Sequence, residues 1–269
     1  MLVCTIGDLL LDVIVRLDAP IAADTDTDGR TSVGAGGQAA NVAAWVVALG
    51  DRARFLGKRA RDPAGRVIAD DLRARGVEVA GPEVETGTGT IVSLSQGDGT
   101  RSMLSDRGVA PTFAPDELDP AWLDGCDWLH VPVYSLVREP VRSTAVAAAA
   151  LAPRVSVDLS STAAIEELGV ETLRRLLGEV RPALVLASEA EATVVGDLEA
   201  ETVVVHHAGG CVVRDRGGTH EHAAEPVEVV DATGAGDAFA AGFLLGGYEM
   251  ALRAGARCVG QMGAMPAWR

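Results

Sequence analysis

Between residues 231 and 237 the chain reads Asp-Ala-Thr-Gly-Ala-Gly-Asp, a spacing of glycines and carboxylates that can do chemistry. A β-branched run, Val227–Val230, leads into this turn, and apolar Phe239, Phe243 and Leu244 follow at helical spacing. Gly234 and Gly236, with Ala235 between them, allow close backbone approach, so the free amides of a first helical turn can surround an anion. Asp237 falls inside that turn, where the helix dipole favours its charged form and suits it to accept a proton. An anion hole and a carboxylate base this close together are what phosphoryl transfer from ATP to a hydroxyl needs. The amides hold developing charge while Asp237 takes the hydroxyl proton. An ordinary strand-to-helix turn can use Gly for tightness and Asp for the dipole, and for a bare Gly-x-Gly-Asp that plainer reading prevails.

Other clusters are more ambiguous by themselves. Gly36-Gly37-Gln38-Ala39-Ala40-Asn41 precedes an Ala-rich helical stretch, and Gly34-Ala35-Gly36-Gly37-Gln38-Ala39 also satisfies a dinucleotide fingerprint. That fingerprint must follow a buried strand, whereas Arg30–Val33 is polar and alternating. Ser188 and Glu191 have the spacing of a capping box at a helix start. His206-His207 closes a Val run, and His220 and His222 share one face of a strand, which reads as a solvated strand before a metal pair.

The elements that must position these residues alternate. Strands are predicted at Leu2–Ile6, Asp127–Val133, Arg154–Asp158, Ala183–Leu186, Thr202–Val205 and Val227–Val230. Helices are predicted at Ala39–Leu49, Gly65–Arg75, Val141–Leu151 and Glu171–Leu177, three of them followed at once by Gly. This alternation predicts a mostly parallel sheet covered on both faces. Two β excursions, 13–33 and 87–107, interrupt it, the second with a hairpin signal at Asp98-Gly99. Paired, they would form a small sheet over one end of the core, the geometry of a lid.

The 269 residues suit one large α/β domain, read here as 1–269, and no apolar stretch is long enough to span a bilayer. A net charge of −15 with a single lysine, Lys58, disfavours nucleic acid and anionic membranes. It also obliges a phosphate-handling site to rely on backbone amides, Arg and a metal ion. Cys4, Cys126, Cys211 and Cys258 show no paired spacing, which points to a reducing cytoplasm. The N-terminus lacks a basic segment, and Asp8 and Asp12 interrupt its apolar run, as in a buried first strand rather than a secretory leader.

Residues 231–237 closely resemble the C-terminal signature of the ribokinase-like (PfkB) carbohydrate kinases, and Gly36–Asn41 resembles the family's N-terminal signature. The resemblance runs from about residue 3 to the end, strongest at 34–50 and 227–247. It implies a three-layer α/β/α sandwich with a mostly parallel central sheet and a small β lid. It implies transfer of the γ-phosphate of ATP to a hydroxyl of a sugar or, second, a nucleoside. Asp237 would be the base, and Gly234, Ala235 and Gly236 the anion hole. Asp12, Gly36, Gly37 and Asn41 would bind the acceptor. Ser188, Glu191, His206, Ala208, Gly209 and Thr233 would face the nucleotide, with Glu191 organising water around Mg²⁺. Many relatives hold a monovalent cation at the turn that corresponds to Asp231–Thr233, which marks Asp231 for K⁺.

Departures accompany the match. Ser188 stands where the family has Asn, and Ala208 and Cys211 occupy the positions of two loop glycines. Ser160 and Thr162 replace an Asn and an Arg that follow an Asp in some sugar-acid and ketohexose kinases. The segment after Gly247 is brief, although Gly263-Ala264-Met265-Pro266 is similar to the family's end, which suggests compaction. A non-catalytic binding relative is the rival reading, and retention of Asp237 weighs against it. Apolar Val13, Val15, Ile91 and Val92 on so small a sheet predict a homodimer through the lid.

Overall fold

A computed structural model describes residues 1–96 and 101–268, so the Asp98-Gly99 turn lies outside the described residues. In chain order the strands are β1 (Leu2–Ile6), β2 (Leu10–Leu17), β3 (Gly29–Gly36), β4 (Arg52–Leu56), β5 (Arg59–Ala60), β6 (Glu78–Ala80) and β7 (Glu83–Val84). They continue as β8 (Thr90–Gln96), β9 (Arg101–Asp106), β10 (Trp128–Pro132), β11 (Val155–Asp158) and β12 (Leu184–Ser188). Last come β13 (Thr202–His207), β14 (Gly210–Asp215) and β15 (Gly218–Ala223). The helices are α1 (Gln38–Ala48), α2 (Pro63–Ala74), α3 (Tyr134–Val137), α4 (Val141–Leu151), α5 (Thr162–Leu168), α6 (Val170–Val180), α7 (Glu189–Val195) and α8 (Ala235–Val259).

Nine strands form one sheet in the order β15-β14-β13-β12-β11-β10-β1-β4-β6, parallel except where β14 and β15 fold back as a hairpin at one edge. Side chains alternate between its faces along each strand. Val3, Phe55 and Trp128 pack under α1, α2 and α8, while Leu2, Cys4, Ile6, Leu129 and Val157 pack against α4, α5 and α6. The result is three layers, as expected.

A separate four-stranded sheet, β3-β2-β8-β9, arises from the two β excursions. Val33, Val13, Val92 and Leu104 stand opposite one another across all four strands and form one apolar row. Val33 is 60% exposed and Leu104 57%, while Val13, Val15, Ile91 and Val92 are half-buried.

Local chemistry explains the helix starts. Asp62 caps α2 by accepting from the Gly65 amide at 2.8 Å, with Pro63 next, so the helix begins before the expected Gly65. The long α8 is not straight: Gly246 and Gly247 leave helical geometry, and Gly242 lies against Met250 and Ala251. Its second half therefore returns alongside the first, and Cys258 ends near Thr233.

Val227–Val230 is not a strand. The sheet edge next to β13 is already taken by the β14–β15 hairpin, and Val227, Val229 and Val230 remain exposed. The segment instead anchors by its backbone, with the amides of Val230 and Asp231 both donating to the Val259 carbonyl.

Candidate active site

The N-termini of α1 and α8 converge at the carboxyl edge of the large sheet, where open parallel sheets place ligands. A cavity of about 750 Å³ opens there, lined by Asp12, Gln38, Asn41, Glu191, His206 and the 232–237 turn, with Ile91 and Met103 of the small sheet across it. Core and small sheet thus share one cleft.

Gly234 precedes α8 in the left-handed region at φ 77°, and a Cβ there would meet Ala264 at 2.5 Å. Both facts require glycine. Ala235, Gly236 and Asp237 then form the first turn of α8, so their amides have no partner within the helix. Asp237 is the third residue of the helix and is buried. Its Oδ2 accepts from Asn41 Nδ2 at 2.7 Å, a bond that joins the two helix starts. Burial pushes its carboxyl up to about 7, and the Asp12 charge adds to that, while hydrogen bonds from Asn41 and Gln38 oppose it. Near neutral pH this carboxylate is poised to exchange a proton.

Asn41 Oδ1 and Gln38 Oε1 are buried acceptors with no protein donor, which suits them to ligand hydroxyls. Asp12, on β2, faces the same cavity. A side chain at Gly36 would overlap the Asp12 carboxylate, and one at Gly37, the N-cap of α1 at φ 96°, would meet the Asp8 carbonyl. Gly37 lines the cavity, whereas Gly36 serves by making room. At the end of β9, Arg107 donates to Asp8 and lies 3.9 Å from the centre of the Tyr134 ring, and both Arg107 and Tyr134 line the cavity.

Glu191 sits in the first turn of α7 with its side chain accepting from the Ser188 amide at 2.7 Å, and the Ser188 hydroxyl accepts from the Glu191 amide at 3.3 Å. The capping box is present, and its effect is to aim a buried carboxylate at the cavity. Ser188 supports Glu191 rather than lining the space. Asp158 lies beside them at the end of β11, 2% exposed, its carboxyl pushed well up by burial and then by the charges of Glu191 and Asp237. Hard carboxylate oxygens that repel one another in a confined space fit Mg²⁺ carried on phosphates. His206 closes this side, its ring 5.1 Å from that of Phe239, and burial, then the neighbouring His207, hold it down to about 4, so it is neutral.

Ala208 and Gly209 do not reach the cavity. They form the exposed β13–β14 turn, where the Gly209 amide donates to His207 Nδ1 at 3.2 Å. Thr233 lines the cavity, but Asp231 does not. Asp231 Oδ1 accepts from the Thr233 amide at 2.9 Å and its hydroxyl at 2.5 Å, and Oδ2 accepts from the Gly263 amide at 3.1 Å. Both oxygens thus accept hydrogen bonds at the turn. Among the described residues no group of three or more His, Cys, Asp or Glu is placed to hold a metal ion by itself. His222 stacks on Tyr248 at 3.4 Å.

Gln38 was given no role from sequence, and Asp158 was marked only as the acid that ends a strand ahead of Ser160 and Thr162. Gln38 precedes Asn41 by one helical turn, so the two share a face, and Asp158 ends a buried strand at the ligand edge. Those two placements were the available signals.

The chain is similar to fructokinase of Escherichia coli, at 29% identity over 274 residues, covering 91% of this chain and 83% of that one. It matches the ATP-dependent ribose-1-phosphate kinase of Halopiger xanaduensis at 29% identity, covering 90% and 83% respectively. The crystal structure of adenosine kinase from Sinorhizobium meliloti superposes with a TM-score of 0.87 at 24% identity, covering 99% of this chain and 96% of that one, which establishes the ribokinase-like fold. The family model of the pfkB carbohydrate kinases matches residues 1–258. With that match over nearly its full length, this chain belongs to the pfkB family of carbohydrate kinases.

Proposed function

We propose that this chain is an ATP-dependent kinase that phosphorylates a hydroxyl of a sugar or sugar derivative, with Asp237 as the base. The observation that carries the reading is the Asn41–Asp237 hydrogen bond at 2.7 Å inside one cavity, because it joins a hydroxyl-binding floor to an anion hole. Asp12, Asn41 and Gln38 bind acceptor hydroxyls. Asp237 takes the proton of the attacking hydroxyl as the phosphoryl group moves, and the amides at Gly234–Asp237 hold the charge that builds on the transferring oxygens. Thr233 and neutral His206 flank the phosphates. Glu191, through water, holds Mg²⁺, which supplies charge neutralisation at the phosphates when bound. A nucleoside acceptor is the alternative within the same fold.

The residues form a single kinase domain in which the small sheet acts as a lid hinged at Gly34–Gly37. A homodimer through the lid follows from the Val33–Val13–Val92–Leu104 row, an apolar surface that a four-stranded sheet cannot cover alone. Four free, buried cysteines support a cytoplasmic setting, and among the described residues no helix is long and apolar enough to cross a membrane. The test is ADP release over a panel of neutral sugars, sugar phosphates, sugar acids and nucleosides with Mg·ATP. Saturable turnover with one class supports the reading, and none with any class, despite Mg·ATP binding, supports the non-catalytic relative instead.

A further inference from the structure

We infer that the anion-hole turn is braced by the thiol of Cys258 and the indole of Trp45 where many relatives hold a monovalent cation, and that phosphoryl transfer by this chain is independent of K⁺. The inference rests on the kinase reading above.

A dehydrated monovalent cation needs a ring of oxygens whose lone pairs can replace its water. The turn offers the Asp231 carboxylate and nearby backbone carbonyls. Each already accepts at least one hydrogen bond from the protein, which draws its lone pairs toward protein donors. Asp231 accepts from Thr233 and Gly263, as described. The Thr233 carbonyl accepts from Cys258 Sγ at 3.4 Å, and the Ala264 carbonyl accepts from Trp45 Nε1 at 2.8 Å. The Val259 carbonyl takes two amides, from Val230 at 2.8 Å and Asp231 at 3.2 Å.

Space gives the same answer. Cys258 Sγ lies 3.4 Å from the Thr233 carbonyl oxygen and 4.0 Å from that of Ala264, so a fully buried sulfur occupies the space beside both carbonyls. Burial, reinforced by the charges of Asp237 and Asp231, pushes the thiol up to about 12, so it stays a neutral donor wherever the enzyme works. The brace reaches the chemistry directly, because Ala264 is the residue against which Gly234 is packed. Amide, hydroxyl, indole and thiol dipoles therefore supply the positive ends that an ion would bring. Cys258 and Trp45 are positioning residues and touch no substrate.

The experiment compares kcat, KM for ATP and melting temperature of the Mg·ATP complex in KCl, NaCl and choline chloride at equal ionic strength. All three salts should agree within about 1.5-fold in kcat and KM, with no K⁺-specific rise in melting temperature. Activation by K⁺ of about threefold or more, or stabilisation by K⁺ over choline, overturns the inference. Cys258→Ala leaves the Thr233 carbonyl without its donor and should raise KM for ATP about tenfold while KM for the acceptor holds. Cys258→Ser restores a donor and should recover most of that loss. A Cys258→Ala enzyme with unaltered KM for ATP, or a Cys258→Ser enzyme as impaired as Cys258→Ala, also overturns it. Failure of the kinase reading is distinguishable, since no acceptor would then give ADP release in any of the salts.

Discussion

Replacing Asp237 with Asn removes the base yet keeps an acceptor for Asn41 and nearly the same volume. The catalytic effect should be a fall in kcat of about 10²–10⁴, with Mg·ATP binding retained. The stability effect runs the other way, and its size follows from the carboxyl's rise from 3.8 to about 7. At about 1.36 kcal/mol for each tenfold change in acidity, ionising Asp237 in the folded state costs up to about 4 kcal/mol at alkaline pH. Below 3.8 the carboxyl is protonated in both folded and unfolded chains. Between 3.8 and about 7 only the folded chain keeps the proton, so its stability declines as pH rises through that window. Asn resembles the protonated acid and has no such decline. The variant should therefore melt with the wild type at pH near 4 and several degrees above it at pH 8, at about 2–4 °C per kcal/mol for a chain of this size. Thermal melts across that range, with ADP release assayed in parallel, check both halves. A variant with more than half the wild-type kcat, or a melting difference that does not grow with pH, refutes the assignment. The wild-type kcat/KM should also rise with pH through an apparent value of about 7.

Three further outcomes are expected. Asp12→Ala should raise KM for the acceptor roughly ten- to a hundredfold and leave KM for ATP unchanged, since losing a charged hydrogen-bond partner is worth about 1.5–3 kcal/mol; weakened ATP binding would reverse the two ends of the cavity. Gly234→Ala adds a left-handed penalty of about 1–2 kcal/mol to an overlap with Ala264, so isothermal titration should show ATP affinity down at least about tenfold. Leu104→Lys with Val33→Lys should leave turnover intact and convert a sedimenting dimer to a monomer; a wild type that sediments as a monomer at high concentration defeats the lid–lid contact.

How much could be read beforehand depends on where the determining forces lie. Strand β1 and helix α4 match their predicted limits because each carries its reason locally, an apolar run in one and an Ala-rich periodicity in the other. Asp237 and Asn41, 196 residues apart, and Asp12 farther still from Asp237, were nonetheless assigned to one site by the family resemblance, and all three line one cavity. Val227–Val230 misled because β-branched residues signal only compatibility with a strand, while pairing depends on a free sheet edge. The β14–β15 hairpin occupies that edge. Ala208 and Gly209 misled for a related reason. A two-residue turn between antiparallel strands closes too tightly to reach back over the cavity, and the hairpin register that tightens it is a long-range property. Asp231 was marked for a cation only through the family resemblance, and of its hydrogen bonds from Thr233 and Gly263 the second is a contact made 32 residues later that no local pattern announces.

The fold-back of α8 has a consequence for synthesis. Every strand of the large sheet precedes residue 224, but the segment that holds Gly234 in place, around Cys258–Ala264, is made after them. Chains emerge from the ribosome N-terminus first, so the sheet and its acceptor floor can assemble while the anion hole still lacks its support. Nucleotide-handling competence should then arrive as a late, abrupt event in translation. A nascent chain stalled before Cys258 would be folded over most of its length and unable to hold ATP.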